Sequence, residues 1–175
     1  MPIEFDISGA GTSYVDLSQT QLVMRVQLLK GDGTPIYNNS HVAPCNLFLH
    51  SLFSEIDVKL NGTLITASNN TYPYRAYIET LLSYGRDAKH SQLTSGLYYK
   101  DIGGDAGFEE GDPTLQAATN KGMVKRNSFF RSGEIVPLQG PLHMDLLFQD
   151  RYLPADVGIQ LRLTCSKAVF LPDVR

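Results

Sequence analysis

The sequence has few of the residues from which metal centres and disulfide frameworks are built. Its two cysteines, Cys45 and Cys165, are too few for a disulfide framework or a thiolate metal cluster, and we expect both to be small buried hydrophobic residues. The four histidines occur without HxH or HExxH spacing, so nothing in their pattern supports metal ligation: His41, His50, His90 and His143. We therefore expect no metal and no cofactor.

The chain also lacks an excess of positive charge and any long apolar run. It has 15 basic and 18 acidic residues, whereas a dedicated nucleic-acid-binding protein usually carries a basic excess. No apolar stretch approaches the roughly 20 residues that a membrane-spanning helix needs, and the N-terminal sequence MPIEFDISGAG does not have the shape of a signal peptide. We expect neither a specific nucleic-acid site nor a membrane span.

Much of the chain alternates apolar and polar residues, which is typical of β-strands. The clearest case is a hairpin in which Ile56, Val58 and Leu60 alternate with polar residues before Asn61-Gly62, a favoured type I′ turn. About eight strands are predicted, from candidate segments at residues 3–7, 21–29, 56–60, 63–66, 127–130, 134–138, 141–149, 157–164 and 167–171. Residues 46–53 fit a strand and a short helix equally well. The profile predicts an all-β protein, an antiparallel jelly-roll β-sandwich that forms a single domain over residues 1–175.

A helical insertion is predicted at about residues 71–95, within the sequence SNNTYPYRAYIETLLSYG and the following DAKHSQLT. Candidate N-caps precede Pro73, which suits a first turn, and Gly85 suits the residue after the last turn. At 100° per residue, the large apolar and aromatic side chains share one face: Tyr74, Tyr77, Ile78, Leu81, Leu82 and Tyr84. We expect the tyrosines of this helix to serve packing, either in the chain's own core or against another protein.

No arrangement of residues with diagnostic catalytic spacing is present, and we predict that the chain is not an enzyme. There is no nucleophile elbow and no phosphate-binding loop. Glu55 and Asp57 lie two apart on a predicted strand and would share a face, as two carboxylates of a glycoside hydrolase could, but a solvent-facing polar stripe explains them as well. The acidic residues of 101–112 do not have the spacing of a calcium-binding EF-hand, and we expect a solvated loop there.

Six residues are the best candidates for contacts with another subunit or domain. Arg75 is expected to form an exposed ion pair with Glu79, one turn later on the helix. The basic pair Lys125-Arg126 lies beside Phe129-Phe130, a combination that suits a subunit contact at least as well as a single nucleic-acid strand. The predicted contact residues are Tyr74, Arg75, Tyr77, Arg126, Phe129 and Phe130.

Several blocks of the sequence resemble one known family. They are VAPCNLFLHSLFSEIDVKLNG at 42–62, NNTYPYRAYIETLLSYG at 69–85, AKHSQLTSGLYYKD at 88–101 and GPLHMDLLFQDRYLPADVGIQLRLTCSKAVF at 140–170. In this order they are similar to the major capsid proteins of Polinton/Maverick and adintovirus elements of animal genomes. The resemblance covers most of the chain.

The resemblance implies a structural protein built from two successive jelly rolls, whose trimers tile an icosahedral shell. The 175 residues are about one jelly roll long, so the chain is expected to be the first barrel of such a protein or a single jelly roll. Its partners would be copies of itself, a second jelly-roll domain or other capsid proteins, in a trimer if double-barrelled and in a pentamer or other oligomer if not. No catalytic residue is implied. The protein would reside in the virion, and in the host cytoplasm or nucleus during assembly.

Two other functions remain open at the level of sequence. A glycan-binding or receptor-binding jelly-roll module would use Tyr98, Tyr99 and the acidic loop as its platform. A β-sandwich hydrolase would use Glu55, Asp57 or the acidic loop.

Overall fold

The computed structural model of the chain describes residues 2–9, 11–36, 42–66, 69–101 and 120–167. Helix accounts for 32% and strand for 27%, so the fold class is mixed and the all-β expectation was wrong in that respect. The described residues form six strands in two antiparallel sheets, fewer than the eight predicted. The strands are β1 (Ile3–Ile7), β2 (Gln21–Val26), β3 (Phe53–Leu60), β4 (Thr63–Leu64), β5 (Val136–Pro141) and β6 (Ile159–Cys165).

Helices fill much of the middle of the chain, as the predicted insertion required. The α-helices are α1 (Phe48–Ser51), α2 (Tyr72–Ser83), α3 (Arg86–His90) and α4 (Lys121–Phe129). Short 3-10 helices lie at Leu17–Gln19, Gln92–Gly96, Arg131–Gly133 and Asp145–Phe148. The chain divides into two compact units whose segments alternate along the sequence. The single domain over residues 1–175 stays a prediction.

The first unit comprises Met1–Leu22, His50–Tyr84 and Pro141–Lys167, and its centre is a four-stranded sheet in the order β1-β6-β3-β4. β6 pairs antiparallel with both β1 and β3, so that Leu161 lies between Phe5 and Val58. Side chains alternate between the two faces of a sheet, and the apolar residues of β3 and β6 are buried on one of them. The other face carries the charged residues of the same strands.

The predicted hairpin is confirmed. β3 and β4 are antiparallel, and Asn61 and Gly62 connect them with φ angles of 47° and 79°. Positive φ at both central positions defines the type I′ turn, which only glycine and, among other residues, chiefly asparagine adopt readily.

The second unit comprises Val23–Leu49, Gly85–Gly140 and Ala168–Arg175. Its β-structure is the antiparallel pair of β2 and β5. Its core includes the rings of Phe48 and Phe130, which meet edge to face with their centroids 5.8 Å apart. Helix α4 approaches the preceding chain so closely that a Cβ on Gly122 would lie 2.2 Å from the carbonyl oxygen of Lys100. Glycine is therefore required at this contact.

Three predicted segments adopt other structures. Residues 127–130 end helix α4 rather than forming a strand, because Asn120 caps that helix by accepting from the backbone N–H of Met123 at 3.1 Å. Of residues 141–149, only Pro141 belongs to a strand, β5, and Asp145–Phe148 form a 3-10 helix. Their apparent alternation was misleading, since His143 is buried together with both of its neighbours. Residues 46–53, which fit a strand and a short helix equally well in sequence, form the short helix α1 and then the start of β3. The candidate strand at 167–171 lies almost wholly outside the described residues.

Candidate functional site

Beneath helix α2, the first unit contains a cluster of polar side chains that the sequence does not place together. His50 is contributed by α1, Tyr72 and Thr80 by α2, and His143 by the segment after β5. All four side chains are buried, and that of His143 is only 1% exposed. The two imidazole rings meet edge to face, with their centroids 4.7 Å apart. Buried polar groups normally require hydrogen-bond partners, and each of these has one.

The Tyr72 hydroxyl joins the two histidines. It lies 2.9 Å from Nδ1 of His50 and accepts from the backbone N–H of His143 at 3.4 Å. Because the hydroxyl oxygen accepts from His143, its own proton is best assigned as donated to Nδ1 of His50. Burial raises the pKa of Tyr72. The phenol is therefore neutral at physiological pH and can fill both roles.

The second histidine connects the buried cluster to charged groups at the surface. Nδ1 of His143 lies 2.9 Å from one carboxylate oxygen of Glu79. The other carboxylate oxygen of Glu79 accepts a hydrogen bond from Nε of Arg75 at 2.8 Å. Arg75 also donates to Asp145 at 2.5 Å. The pair of Arg75 and Glu79 was predicted and is present, but it is half-buried and belongs to a chain of ion pairs rather than standing alone.

Both imidazoles are held in the neutral form. Burial, with a further contribution from the neighbouring His143, lowers the pKa of His50 to about 3. Burial also lowers the pKa of His143, against the opposing effect of its hydrogen bond to Glu79. In the neutral ring of His143, Nδ1 is best assigned as the donor to Glu79, which leaves Nε2 to face the Thr80 hydroxyl at 3.5 Å.

A cleft of about 340 Å³ opens beside this cluster. Its lining is mixed in polarity and comprises Glu55, Ile56, Ile65, Thr66, Asn69, Thr71, Tyr72, Arg75, His143, Met144, Asp145 and Leu146. The charged groups in it have partners within the chain, since Arg75 binds Asp145 and Glu55 accepts from the backbone N–H of Asn70 at 3.4 Å. Among the described residues, no three or more His, Cys, Asp or Glu side chains are placed to hold a metal ion.

The two carboxylates considered for hydrolysis do not converge. Glu55 lines the cleft beside His143, whereas Asp57 lines a separate groove on the charged face of the sheet with Lys59 and Arg162. Tyr98, one of the two tyrosines considered for a glycan platform, is buried in the second unit and presents no ring to solvent. Nearly all of the acidic loop at 101–112 lies outside the described residues.

Helix α2 is confirmed, and the face that carries its large apolar side chains is not the one that packs on its own unit. Its packed face carries Tyr72, Ala76 and Thr80, and it lies against β3. The face on which the large apolar side chains were predicted to lie together is open over most of its length. Five of its members are between 39% and 81% exposed and Tyr84 is half-buried; the five are Tyr74, Tyr77, Ile78, Leu81 and Leu82. Of the predicted contact residues, Tyr74 and Tyr77 are thus exposed, and Arg75 is partly so.

The other three predicted contact residues lie on α4 and at its end. Arg126 and Phe130 are buried in the second unit, at 3% and 2% exposure, and they contact groups of the same chain; their assignment to a contact with another subunit or domain stays a prediction. Phe129 is half-buried, tilted against Tyr99 and beneath the ammonium of Lys125 at 5.2 Å. The Arg126 guanidinium can be buried because it donates hydrogen bonds to backbone carbonyl oxygens in the interior.

Arg126 joins three stretches of the second unit. It donates to the carbonyl oxygen of Pro44 at 2.7 Å, to the carbonyl oxygen of Tyr99, and to the Asp101 carboxylate at 2.6 Å. The same carboxylate oxygen accepts from the Asn120 side chain at 3.0 Å. The sequence motif Lys-Arg-Asn-Ser-Phe-Phe gave no sign of this, because the acceptors are 25 to 82 residues away.

The contact between His50 and His143 in the fold was likewise not predicted from the sequence. Their separation along the chain produces no recognisable spacing. One signal was present, since each histidine is flanked by apolar residues, in NLFLHS and PLHMD, which indicates burial rather than exposure.

Removing the Tyr72 hydroxyl tests the cluster. Tyr72→Phe is expected to lower the free energy of unfolding by about 1–3 kcal/mol, because it leaves Nδ1 of His50 and the backbone N–H of His143 without their partner. Urea denaturation followed by circular dichroism would measure it. Tyr77→Phe, on the exposed side of the same helix, is the matched control and should be nearly neutral. Equal effects of the two substitutions on the free energy of unfolding would contradict the role of the Tyr72 hydroxyl as a hydrogen-bond partner of both histidines.

Comparison with known proteins gives one distant relative. Over 177 aligned residues the chain is 28% identical to a Caenorhabditis elegans protein named "Uncharacterized protein F54H12.2". The alignment covers 97% of this chain and 39% of the nematode protein, so the chain spans well under half of that relative. No protein-family model matches the sequence, and no solved structure matches it. Within the described residues, no helix is both long and apolar enough to cross a membrane.

Proposed function

We propose that this chain is a structural coat protein of a Polinton/Maverick-type element, which associates with copies of itself to form an icosahedral shell. The observation that carries the proposal is the order in which the strands pair. The first strand pairs with the last, the second with the fifth, and the third with the fourth. The strand pairs are therefore nested inside one another.

Nested pairing is what a jelly roll requires. That fold winds one long antiparallel hairpin around itself, so strands equidistant from the two ends of the chain become neighbours. The additional pairing of β6 with β3 places the last strand between the first and a central one, as winding of the hairpin would produce. The finer assignment, a jelly roll interrupted by helices, is part of this proposal.

The character of the polar groups supports a structural function. The buried histidines, Tyr72 and Arg126 all bind groups of the same chain. A coat protein needs rigid sheets and surfaces that fit neighbouring copies, and repeated symmetric contacts supply its stability. The resemblance of the sequence blocks to capsid proteins supports the same conclusion. Because the chain spans only part of its nematode relative, a second barrel, a trimer and a place in the virion are likewise proposals.

Self-association tests this function directly. We expect sedimentation velocity to detect species larger than the monomer as protein concentration rises, and electron microscopy to show rings or closed particles. The same measurements on a longer polypeptide that continues past Arg175 test whether further sequence is needed for closed shells. Strictly monomeric behaviour of both polypeptides at high concentration would contradict the proposal.

A further inference from the structure

The outward face of helix α2 is an unusual surface for a folded chain. Its five large side chains, Tyr74, Tyr77, Ile78, Leu81 and Leu82, include no charge. Together they leave on the order of 500 Å² exposed, comparable with the largest apolar patch of a typical monomer, which is often a binding site. The opposite face of the helix is already packed on its own sheet, so the helix cannot bury this patch by rotating.

The first unit has a second uncovered apolar row, on strand β1. Ile3, Phe5 and Ile7 share one face and are 40% to 50% exposed, and all five residues of the strand are open to solvent. The register aligns them with Leu163, Leu161 and Ile159, which are buried on the same face. The row therefore continues the sheet's apolar face beyond the area that the chain itself covers. Glu4 and Asp6 project to the other side.

The two rows match in length and in chemistry. From Tyr74 to Leu82 the helix rises about 12 Å, and from Ile3 to Ile7 the strand extends about 14 Å. Neither row contains a charge, so bringing them together desolvates no ion, whereas a charged partner would lose hydration on either surface. A helix laid on the apolar face of a sheet is also the way in which such surfaces are covered within domains.

We infer that the outward face of α2 in one copy docks on the Ile3-Phe5-Ile7 row of a second copy of this chain. This inference rests on the proposed function and assigns the contact through which neighbours associate. The two surfaces differ, so each copy presents one of each, and the contact repeats from copy to copy until a ring closes. The α2 patch supplies more than half of the roughly 800 Å² per partner found in stable interfaces, and surrounding residues would supply the rest.

Substitutions on each row test the contact. Ile78→Ser combined with Leu82→Ser, and separately Phe5→Ser, are expected to weaken self-association by on the order of tenfold or more in sedimentation equilibrium. Val23 is an exposed apolar residue outside both rows, and Val23→Ser is the matched control. It should change the strength of self-association by less than about twofold. Circular dichroism melts would establish that each variant is folded.

Disulfide trapping identifies which surfaces meet without removing either. Cys45 and Cys165 are first replaced by alanine, and one batch of protein then carries Leu82→Cys while another carries Phe5→Cys. We expect oxidation of the mixture to give heterodimers, and either batch alone to stay monomeric on a denaturing gel. Crosslinking of Leu82→Cys to itself would overturn the inference in favour of a helix-to-helix contact.

The remaining outcomes separate this inference from the proposed function. If shells or oligomers form and the substitutions on both rows leave them unchanged, the docking contact is wrong while the coat function stands. If the unsubstituted chain and its longer form never associate, the coat function and the docking contact are both overturned.

Discussion

Arg126→Met is expected to destabilise the chain by about 3–5 kcal/mol, a large fraction of the stability of an ordinary domain. Methionine fills a similar volume but donates no hydrogen bond. The carbonyl oxygens of Pro44 and Tyr99 and the carboxylate of Asp101 would each lose their guanidinium partner. The cost arises mainly from the two carbonyl oxygens, because a buried acceptor left without a donor is costly, whereas the Asp101 side chain is 44% exposed and still accepts from Asn120.

Chemical denaturation would measure this effect, with two variants for comparison. Lys121→Met removes a positive charge from an exposed position on the same helix, and it should shift the free energy of unfolding by no more than about 0.5 kcal/mol. Arg126→Lys keeps the charge but cannot reach three acceptors with a planar fork, so its loss should be intermediate. A loss below about 1 kcal/mol for Arg126→Met would show that the three acceptors find water or other donors.

Acidification from pH 7 to pH 5 is expected to remove about 2 kcal/mol of stability through His50 alone. The folded chain holds this imidazole neutral with a pKa of about 3, while in the unfolded chain it titrates near 6.5. Between those values the unfolded state binds more protons, so stability is complete above pH 6.5 and declines as the pH falls. His143, whose pKa is also lowered, acts in the same direction.

The surroundings of the two rings explain why protonation is unfavourable. A charged His50 would meet the His143 ring at 4.7 Å and the Tyr72 hydroxyl, and neither carries a negative charge. Glu79 faces His143 and is already shared with Arg75. Urea midpoints at pH 7 and pH 5 should therefore differ less for His50→Gln than for the unsubstituted chain. His90→Gln, at an exposed position, should keep the full difference. An identical pH dependence of the urea midpoint in the unsubstituted chain and in both variants would contradict the assignment of this effect to His50.

Local patterns in the sequence predicted local structure well. The bounds of β1 were predicted in full, the Asn61-Gly62 hairpin was confirmed, and α2 lies where its caps and apolar spacing placed it. Each of these features depends on residues a few positions apart. Turn chemistry and helical periodicity are decided at that range.

What the sequence left open or predicted wrongly depended on contacts between distant segments. Periodicity shows which side chains of α2 share a face, but it cannot show which face the rest of the chain covers. Small Ala76 and polar Thr80 pack inward because the buried histidines offer Thr80 a hydrogen-bond partner and leave little room. The pattern at 141–149 failed for a related reason, since a histidine that is paired in the interior was taken for a surface residue.

The bond between Asp101 and Asn120 has a consequence for how this protein could be modified. It fastens together the two points between which residues 102–119 are inserted, and Arg126 anchors the same carboxylate from α4. With both ends tied, doubling the length of the intervening sequence adds only about 0.6 kcal/mol of closure entropy. Foreign peptides such as epitopes or tags could therefore be grafted between these two residues while the surrounding framework keeps its shape.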